Sequence, residues 1–266
     1  METARPDALF RDPFADRLAG SRGVDIVDNM KRGRSLAYPM IVRTVVFDDM
    51  IMRRVAGGAV DTVINLAAGL DARPWRLPLP RDLRWFDVDL PAITEYKREA
   101  MKNESAVCSY EAIAADLTDA QTRRSVLAQL TRKAESVLVV SEGLLIYLNP
   151  HDVADLAGDL HDVDAIRWWV LDMASPRLLK IMNRYWGKSV AGGNAPFLFA
   201  PEAGPAFFEP YGWKTSEVRS GMDEARRLDR EIPTMRFWRR LKYLTTAGQR
   251  ESVRTMSRFV TLERAT

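Results

Sequence analysis

The sequence predicts an α/β fold: a mostly parallel, seven-stranded sheet with helices on both faces. Two observations predict it. Short β-branched runs alternate with helical stretches at the spacing of βαβ units, and several of those runs end in an acidic residue or a glycine turn. The chain has 266 residues, enough to bury a substantial core as one large domain.

The first 60 residues read as helical, with Ile26, Met30, Ile41, Val45, Val46, Met50, Ile51 and Val55 at mostly helical spacing before Gly57 and Gly58. Asp61 to Leu66 is a first strand running into the turn Ala67-Ala-Gly-Leu-Asp71, and Leu83 to Asp89 is a second, broken by Leu90-Pro91 before a helix around Ile93 to Met101. Tyr110 to Ala115 is a third, weaker strand that ends at Asp116. Residues 119 to 134 suit a charged surface helix, and Ser136 to Glu142 is a fourth strand with the same acidic ending. A helix from about His151 to His161 follows Pro150. Ala165 to Asp172 makes a fifth strand, and Trp213 to Val218 and Arg258 to Leu262 two more. The chain therefore divides into a helical N-terminal cover (1–58), a core (59–174), a lid and substrate region that includes the sixth strand (175–257), and the last strand (258–266).

Composition excludes several chemistries. One cysteine, Cys108, forbids an intrachain disulfide and reads as a small, partly buried hydrophobe. Two histidines, His151 and His161, leave no material for a His-rich metal site or a triad, so no metal is expected. The N-terminus alternates charge with apolar residues and lacks the apolar core of a signal peptide. The longest apolar stretch, Val137 to Leu148, is interrupted by Ser141 and Glu142 and is shorter than the roughly 20 residues of a membrane span. A soluble, cytoplasmic protein with no membrane partner is expected.

The formal net charge is +3. A basic stretch from Arg230 to Arg258 carries Arg236, Arg239, Arg240, Lys242, Arg250 and Arg254, interleaved with Phe237, Trp238 and Tyr243. Such a pattern can grip nucleic acid, but a solvated helix face with buried aromatics explains it as well, and no nucleic-acid partner is expected.

In an open parallel sheet, ligands bind outside the carboxyl ends of the strands. Here those ends carry Ala67 to Gly69, Asp89, Asp116 and Glu142. Gly69 permits close backbone approach or a positive φ. A carboxylate ending the second strand can accept from a ribose hydroxyl pair, and Asp116 from an adenine amine. A nucleoside-containing cofactor fits. A dinucleotide wants Gly-x-Gly-x-x-Gly, but Ala67 and Ala72 stand at the first and third of those places and Asp71 opposes a phosphate. S-Adenosylmethionine, with a cationic sulfonium and no phosphate, suits the charge better.

Asn65-Leu-Ala-Ala-Gly-Leu-Asp-Ala-Arg73 with Arg76-Leu77, Phe86-Asp-Val-Asp-Leu-Pro91 with Lys97, and Val139-Val-Ser-Glu-Gly-Leu-Leu-Ile-Tyr-Leu148 resemble the leucine carboxyl methyltransferase family of S-adenosylmethionine-dependent enzymes. They are similar in particular to its bacterial branch of polyketide O-methyltransferases, the tetracenomycin-like group. Phe10-Arg-Asp-Pro-Phe-Ala15, Arg43-Thr44 and Asp48-Asp49 match its N-terminal signatures, so the resemblance runs from about residue 8 to 172. It implies a Rossmann-like fold with S-adenosyl-L-methionine as cofactor. It further implies that Arg43 meets the cofactor carboxylate, Ala67 and Gly69 lie against the methionine, Asp89 with Leu90 holds the ribose, Asp116 and Leu117 frame the adenine, and Glu142 faces the amino group or sulfonium. The family turn begins Gly-x-Gly where this chain has Ala67.

Each of these residues also has a structural reading. Asp89 and Asp116 can each cap the helix or turn after them, and Arg43 can be a surface ion pair. Arg73 and Arg76 read as braces of the turn rather than substrate contacts. Glu142 in an apolar strand is costly without a partner. Methyl transfer to a carboxylate needs no base, whereas a phenol or alcohol benefits from one. With no obvious base in the motifs, the sequence leans toward a small-molecule carboxylate or an acidic phenol. Tyr147 is a candidate to hydrogen-bond the acceptor, or else core packing, and His151 is the candidate base. Three other readings remain: a non-methylating S-adenosylmethionine enzyme, a protein C-terminal carboxyl methyltransferase, and a regulatory module docking through the basic stretch. Trp186, Phe197, Phe199, Phe207 and Phe208 are expected to be exposed and to line a homodimer contact or an apolar acceptor pocket.

Overall fold

The computed structural model describes residues 2–29, 33–191, 196–232 and 246–265. Seven strands form one sheet: β1 (Thr62–Leu66), β2 (Arg84–Asp89), β3 (Ser109–Ala114), β4 (Val137–Ser141), β5 (Ile166–Ala174), β6 (Trp213–Ser220) and β7 (Ser257–Arg264). Their order is β3-β2-β1-β4-β5-β7-β6. β1 to β5 are parallel and β7 is antiparallel to both neighbours. The order reverses between β1 and β4, as expected for an open sheet with a switch point.

β1 and β4 are buried along their whole length, so they read as mainly apolar runs without a polar alternation, interrupted by Thr62, Asn65 and Ser141. The pleat sends alternate side chains to two cores. Ile64, Leu66, Val137 and Val139 pack on one face with Leu127 and Leu130 of α5 (Ala120–Thr131) and Val153, Leu156 and Leu160 of α6 (Pro150–His161). Val63, Trp85, Leu138 and Val140 pack on the other with Val46, Phe47, Met50 and Ile51 of α2 (Gly33–Val55). Fixing α2 in this way hangs Arg43 and Asp48 over the carboxyl ends of the strands.

α1 (Ala15–Asn29) precedes α2 and is kinked at Gly20, where φ is +56°. α4 (Pro91–Met101) links β2 to β3, and α7 (Pro176–Ala191) follows β5. The sequence pattern does not separate the four-residue α3 (Arg73–Arg76), α8 (Gly221–Arg227), α9 (Ala247–Arg254) or the 3-10 turn at Gly204–Tyr211.

The aromatic residues expected to be exposed are largely not. Phe199 and Phe208 are 2% and 0% exposed and join Trp169 and Trp213 in the core, because the Gly204–Tyr211 turn folds onto α6 and β6. Phe197 is buried as well.

Of the basic stretch, Arg236, Phe237, Trp238, Arg239, Arg240, Lys242 and Tyr243 lie outside the described residues. Arg230 is buried against Glu2 at 2.8 Å, and Arg254 pairs with Glu251 and Asp223. Cys108 is buried, and burial pushes its thiol up to about 11. No described helix is long and apolar enough to cross a membrane.

Candidate functional site

A cleft of about 320 Å³ opens at the carboxyl ends of β1 and β4, between the turn after β1 and the middle of α2. Its walls include Arg43, Ala67, Gly69, Arg73 and Glu142. The turn is made by two left-handed residues, Ala67 at φ +51° and Gly69 at φ +53°. Ala67 carries a Cβ in a region that costs a non-glycine residue roughly 1 kcal/mol. A Cβ at Gly69 would meet nothing within 4 Å, so Gly69 supplies the backbone angle and leaves open space for a ligand.

The side chains around the cleft form one ionic network. Arg73 divides its guanidinium among three carboxylates, Asp48 (Nε to Oδ1, 2.7 Å), Asp71 (2.7 Å) and Glu142 (2.7 Å). Arg76, one helical turn on, grips both oxygens of Asp48 at 2.6 and 2.7 Å. Arg43 lies 2.9 Å from Glu142 and 3.4 Å from Asp172. The buried Arg43 Nε has no hydrogen-bond acceptor aligned with it, so its contact with Glu142 is coulombic rather than directed.

On the opposite side, the Asn65 amide donates to Asp71 and Asp87. Asp87 in turn accepts from Lys97 at 2.6 Å and from the Trp85 indole at 2.9 Å. Burial pushes the Asp87 carboxyl up despite Lys97. Burial also acts on Asp71, but Arg73 and Lys97 outweigh it and hold that carboxyl below the usual range.

Arg73 and Arg76 do brace the turn, and they line the cleft as well. Glu142 has the partners its burial demands, two guanidiniums. Arg43 is no surface pair. Asp89 ties the turn to the next helix: Oδ2 accepts from Gly69 N–H at 2.6 Å and Oδ1 from Leu90 N–H at 2.7 Å. Each oxygen keeps a second lone pair. Leu90 itself is 49% exposed at the start of α4.

Asp116 is exposed and caps Thr118 through its amide and hydroxyl, at 2.9 and 2.7 Å. Those bonds hold its carboxyl below the usual range. Leu117 lines a small apolar pocket of about 60 Å³ with Leu144, Leu148 and Leu156. Among the described residues no metal-binding group of His, Cys, Asp and Glu occurs.

The structure separates the two catalytic candidates. Tyr147 lies not in a strand but in a 3-10 turn (Leu145–Tyr147) after β4. It is 38% exposed, and its ring stacks on Phe197 at 5.5 Å. Burial raises its phenol, with Arg43 opposing and Asp172 adding to the shift. His151 points away: its side chain is 81% exposed, paired with Asp155 one turn along α6. It lines neither cleft. His161, at the other end of α6, packs edge-on against Trp213.

Asp71 pairs with Arg73, and its Oδ1 accepts the first free N–H of α3, from Arg73 at 2.8 Å, so that N–H is engaged within the protein.

A family model for leucine carboxyl methyltransferase matches residues 1–160. The chain belongs to the leucine carboxyl methyltransferase family. A Frankia alni relative, named a putative S-adenosyl-L-methionine-dependent methyltransferase, is 32% identical over 232 residues, 80% of this chain and 78% of that protein. A Streptomyces coelicolor protein of the same name is 35% identical over 165 residues, 59% of this chain and 58% of that one. The chain thus aligns with little more than half the length of the latter. A crystal structure of a DUF574 family protein from Streptomyces avermitilis matches with a TM-score of 0.57 at 10% identity, covering 85% of this chain and 83% of that one. That likeness is one of fold.

The family match covers the turn, Asp89, Asp116 and Glu142 but stops short of Asp172. Sequence reasoning also passed over Asp172, although the predicted fifth strand ended on it.

Proposed function

We propose that this leucine carboxyl methyltransferase family member is an S-adenosyl-L-methionine-dependent O-methyltransferase. Its acceptor is a small molecule presenting a carboxylate or an acidic phenol, as in the family's polyketide-modifying branch. The charge balance of the network carries this reading. Asp12, Asp48, Asp71, Asp87, Glu142 and Asp172 face Arg43, Arg73, Arg76 and Lys97 across the network, and the cleft wall itself carries Asp12, Asp71 and Glu142 against Arg43, Arg73 and Arg76, a balance that suits a zwitterionic methionine group with a sulfonium better than a polyphosphate.

The residues fit that cofactor. Arg43 lines the cleft, which supports its guanidinium as the partner of the cofactor carboxylate. The open space at Gly69 admits the methionine chain. Asp89 has lone pairs left for ribose hydroxyls, while Asp116 and Leu117 frame the adenine beside the small apolar pocket. Glu142 lies where an amino group can join its two guanidiniums. When bound, the cofactor supplies an electrophilic methyl group. The protein's part is to hold the two reactants in line, and positioning alone is worth several kcal/mol of the barrier.

Calorimetry with S-adenosylhomocysteine tests the reading: binding in the micromolar range is expected, and no heat at millimolar ligand sinks it. A radiolabelled methyl-transfer assay against small carboxylates and phenols then separates this activity from a non-methylating use of the same cofactor.

A further inference from the structure

The carboxyl edge of the sheet carries five stations in spatial order: Asp116 after β3, Asp89 at the end of β2, the Ala67 to Gly69 turn after β1, Glu142 after β4, and Asp172 near the end of β5. The proposed cofactor occupies the first four. Adjacent strands are about 4.8 Å apart, so β3 to β4 spans roughly 14 Å. The next position along the edge, past Glu142 and away from the ribose, is Asp172, and this inference rests on that cofactor assignment.

Asp172 is built in rather than loose. Oδ1 accepts from Gly143 N–H at 2.7 Å, and Oδ2 faces Arg43 Nη1 across a long 3.4 Å contact, which leaves it capacity to accept from a ligand. Its side chain is 22% exposed. Gly143 is left-handed at φ +69°, and a Cβ there would stand 2.9 Å from Arg43 Nη1. The backbone therefore brings Arg43 and Asp172 together at one point.

Nearby, the Tyr147 ring is half-exposed on Phe197, and the Phe197 segment docks on the 3-10 turn through Leu198 N–H to the Ile146 carbonyl at 2.7 Å. Leu198 is 45% exposed. Asp172 acts electrostatically on the Tyr147 phenol, so this apolar, aromatic patch lies within charge range of the carboxylate.

We propose that Asp172 is the proton acceptor for the methyl acceptor, which is a planar aromatic hydroxyl compound seated against Tyr147. As the acceptor oxygen bonds to the methyl carbon, the carbon–sulfur bond breaks with its electron pair left on sulfur. The hydroxyl proton passes to Asp172 Oδ2 and later to solvent. A carboxylate acceptor has no proton to give, and its charge would add to those of Asp172 and Glu142, whose partners Arg43 and Arg73 are already engaged.

The groups facing Asp172 are Arg43 from α2, Glu142 and the Gly143 amide after β4, and Tyr147 from the 3-10 turn; its partner across β7 is the apolar Phe259. Burial pushes its carboxyl up against the pull of Arg43, the direction a base needs.

The test uses the full chain, S-adenosylmethionine and the matched probes 2-naphthol and 2-naphthoic acid, with Asp172→Asn and Asp172→Glu as variants. Methyl transfer to 2-naphthol in preference to 2-naphthoic acid is expected. Asp172→Asn should lower that transfer by about 100-fold or more and remove its pH-dependent limb, and Asp172→Glu should restore part of the rate. A second readout needs no turnover. In protein loaded with S-adenosylhomocysteine, bound 4-nitrophenol should lose its phenolate absorption band, because the neutral phenol donates to Asp172, and should keep the band in Asp172→Asn.

Preferential methylation of 2-naphthoic acid overturns the inference while leaving the methyltransferase reading intact. So does a 4-nitrophenol spectrum that Asp172→Asn leaves unchanged. Loss of S-adenosylhomocysteine affinity as the sole effect of the substitution would make Asp172 a support of Arg43 only, and overturn it too. Absence of S-adenosylmethionine binding by the wild type overturns both readings.

Discussion

Replacing Lys97 with methionine tests whether the inner half of the network holds the fold or the ligand. Lys97 is 2% exposed, its Nζ is 2.6 Å from Asp87 Oδ2, and its ammonium lies over Trp75 at 5.6 Å. Methionine keeps the length and apolar bulk of the stem, so the substitution removes charge with little loss of packing. It strands the buried Asp87 carboxylate with only neutral donors, Asn65, Trp85 and the Tyr110 hydroxyl. Breaking a buried pair from one side costs about 3–5 kcal/mol; at about 2–4 °C per kcal/mol for a domain of this size, melting should fall by roughly 6–20 °C.

The loss should depend on pH. Burial already places the folded-state Asp87 carboxyl above its unfolded value of about 3.9. A group shifted up contributes stability that is full below the unfolded value and is lost as pH rises through the folded one. Without Lys97 the upward shift grows, so the gap to wild type should widen between about pH 4 and pH 8. Urea unfolding at pH 5 and pH 8 measures this. The double variant Lys97→Met with Asp87→Asn should recover to within about 1.5 kcal/mol of wild type, since the stranded charge is gone. A gap that is the same at both pH values, or below about 1 kcal/mol at pH 8, would refute the reasoning.

Three further outcomes rest on other contacts. Asp89→Ala should raise the S-adenosylhomocysteine dissociation constant about tenfold or more, roughly 1.4 kcal/mol, by calorimetry; an unchanged constant removes Asp89 from the ribose role. Gly143→Ala forces a Cβ into a left-handed position at 2.9 Å from the Arg43 guanidinium. It should destabilise by about 1–2 kcal/mol and weaken S-adenosylhomocysteine binding, and a variant that melts and binds like wild type contradicts that contact. Glu2→Ala removes the acceptor of the Leu9 amide and the partner of the buried Arg230. Exchange of the Leu9 amide hydrogen should accelerate about tenfold; unaltered exchange would mean that the N-terminal segment is held by other contacts.

Where the sequence was informative, the cause was periodicity and local chemistry. β1 and β4 were legible because burial on both faces leaves mainly apolar side chains in a row, and the ends of β2 and β3 because an acidic residue follows them. α3 was not, since four residues carry no period and only Pro74 marks its start. α8 and α9 are short and present no buried residue, so they lack the apolar stripe that announces a helix.

The ionic network was out of reach for a different reason. Arg73 and Asp48 are 25 positions apart and Arg43 and Asp172 are 129 apart, and only the folded sheet with α2 packed on it brings them together. Asp172 is the exception among the residues passed over. It ended a predicted strand just as Asp89 and Glu142 ended theirs, and the same acidic-ending signal would have found it.

Asp71 shows why charge at such a site has to be judged on the network rather than the residue. Taken alone, it is a negative group that opposes a phosphate. In place, it is a ligand of Arg73, a partner of Asn65 and the acceptor of the first N–H of α3. The first N–H of α3 is therefore engaged from within. The charge left to act on a ligand belongs to the ensemble of six carboxylates and four cations, and it is distributed unevenly. Lys97 and Asp87 face each other behind Asn65, away from the cleft, while Glu142 and Arg43 lie at its wall. A substitution at Lys97 should consequently report mainly on stability and one at Arg43 mainly on ligand affinity. Removal of Arg73, which joins the two halves through Asp71 and Glu142, should disturb both in a way the single effects do not sum to.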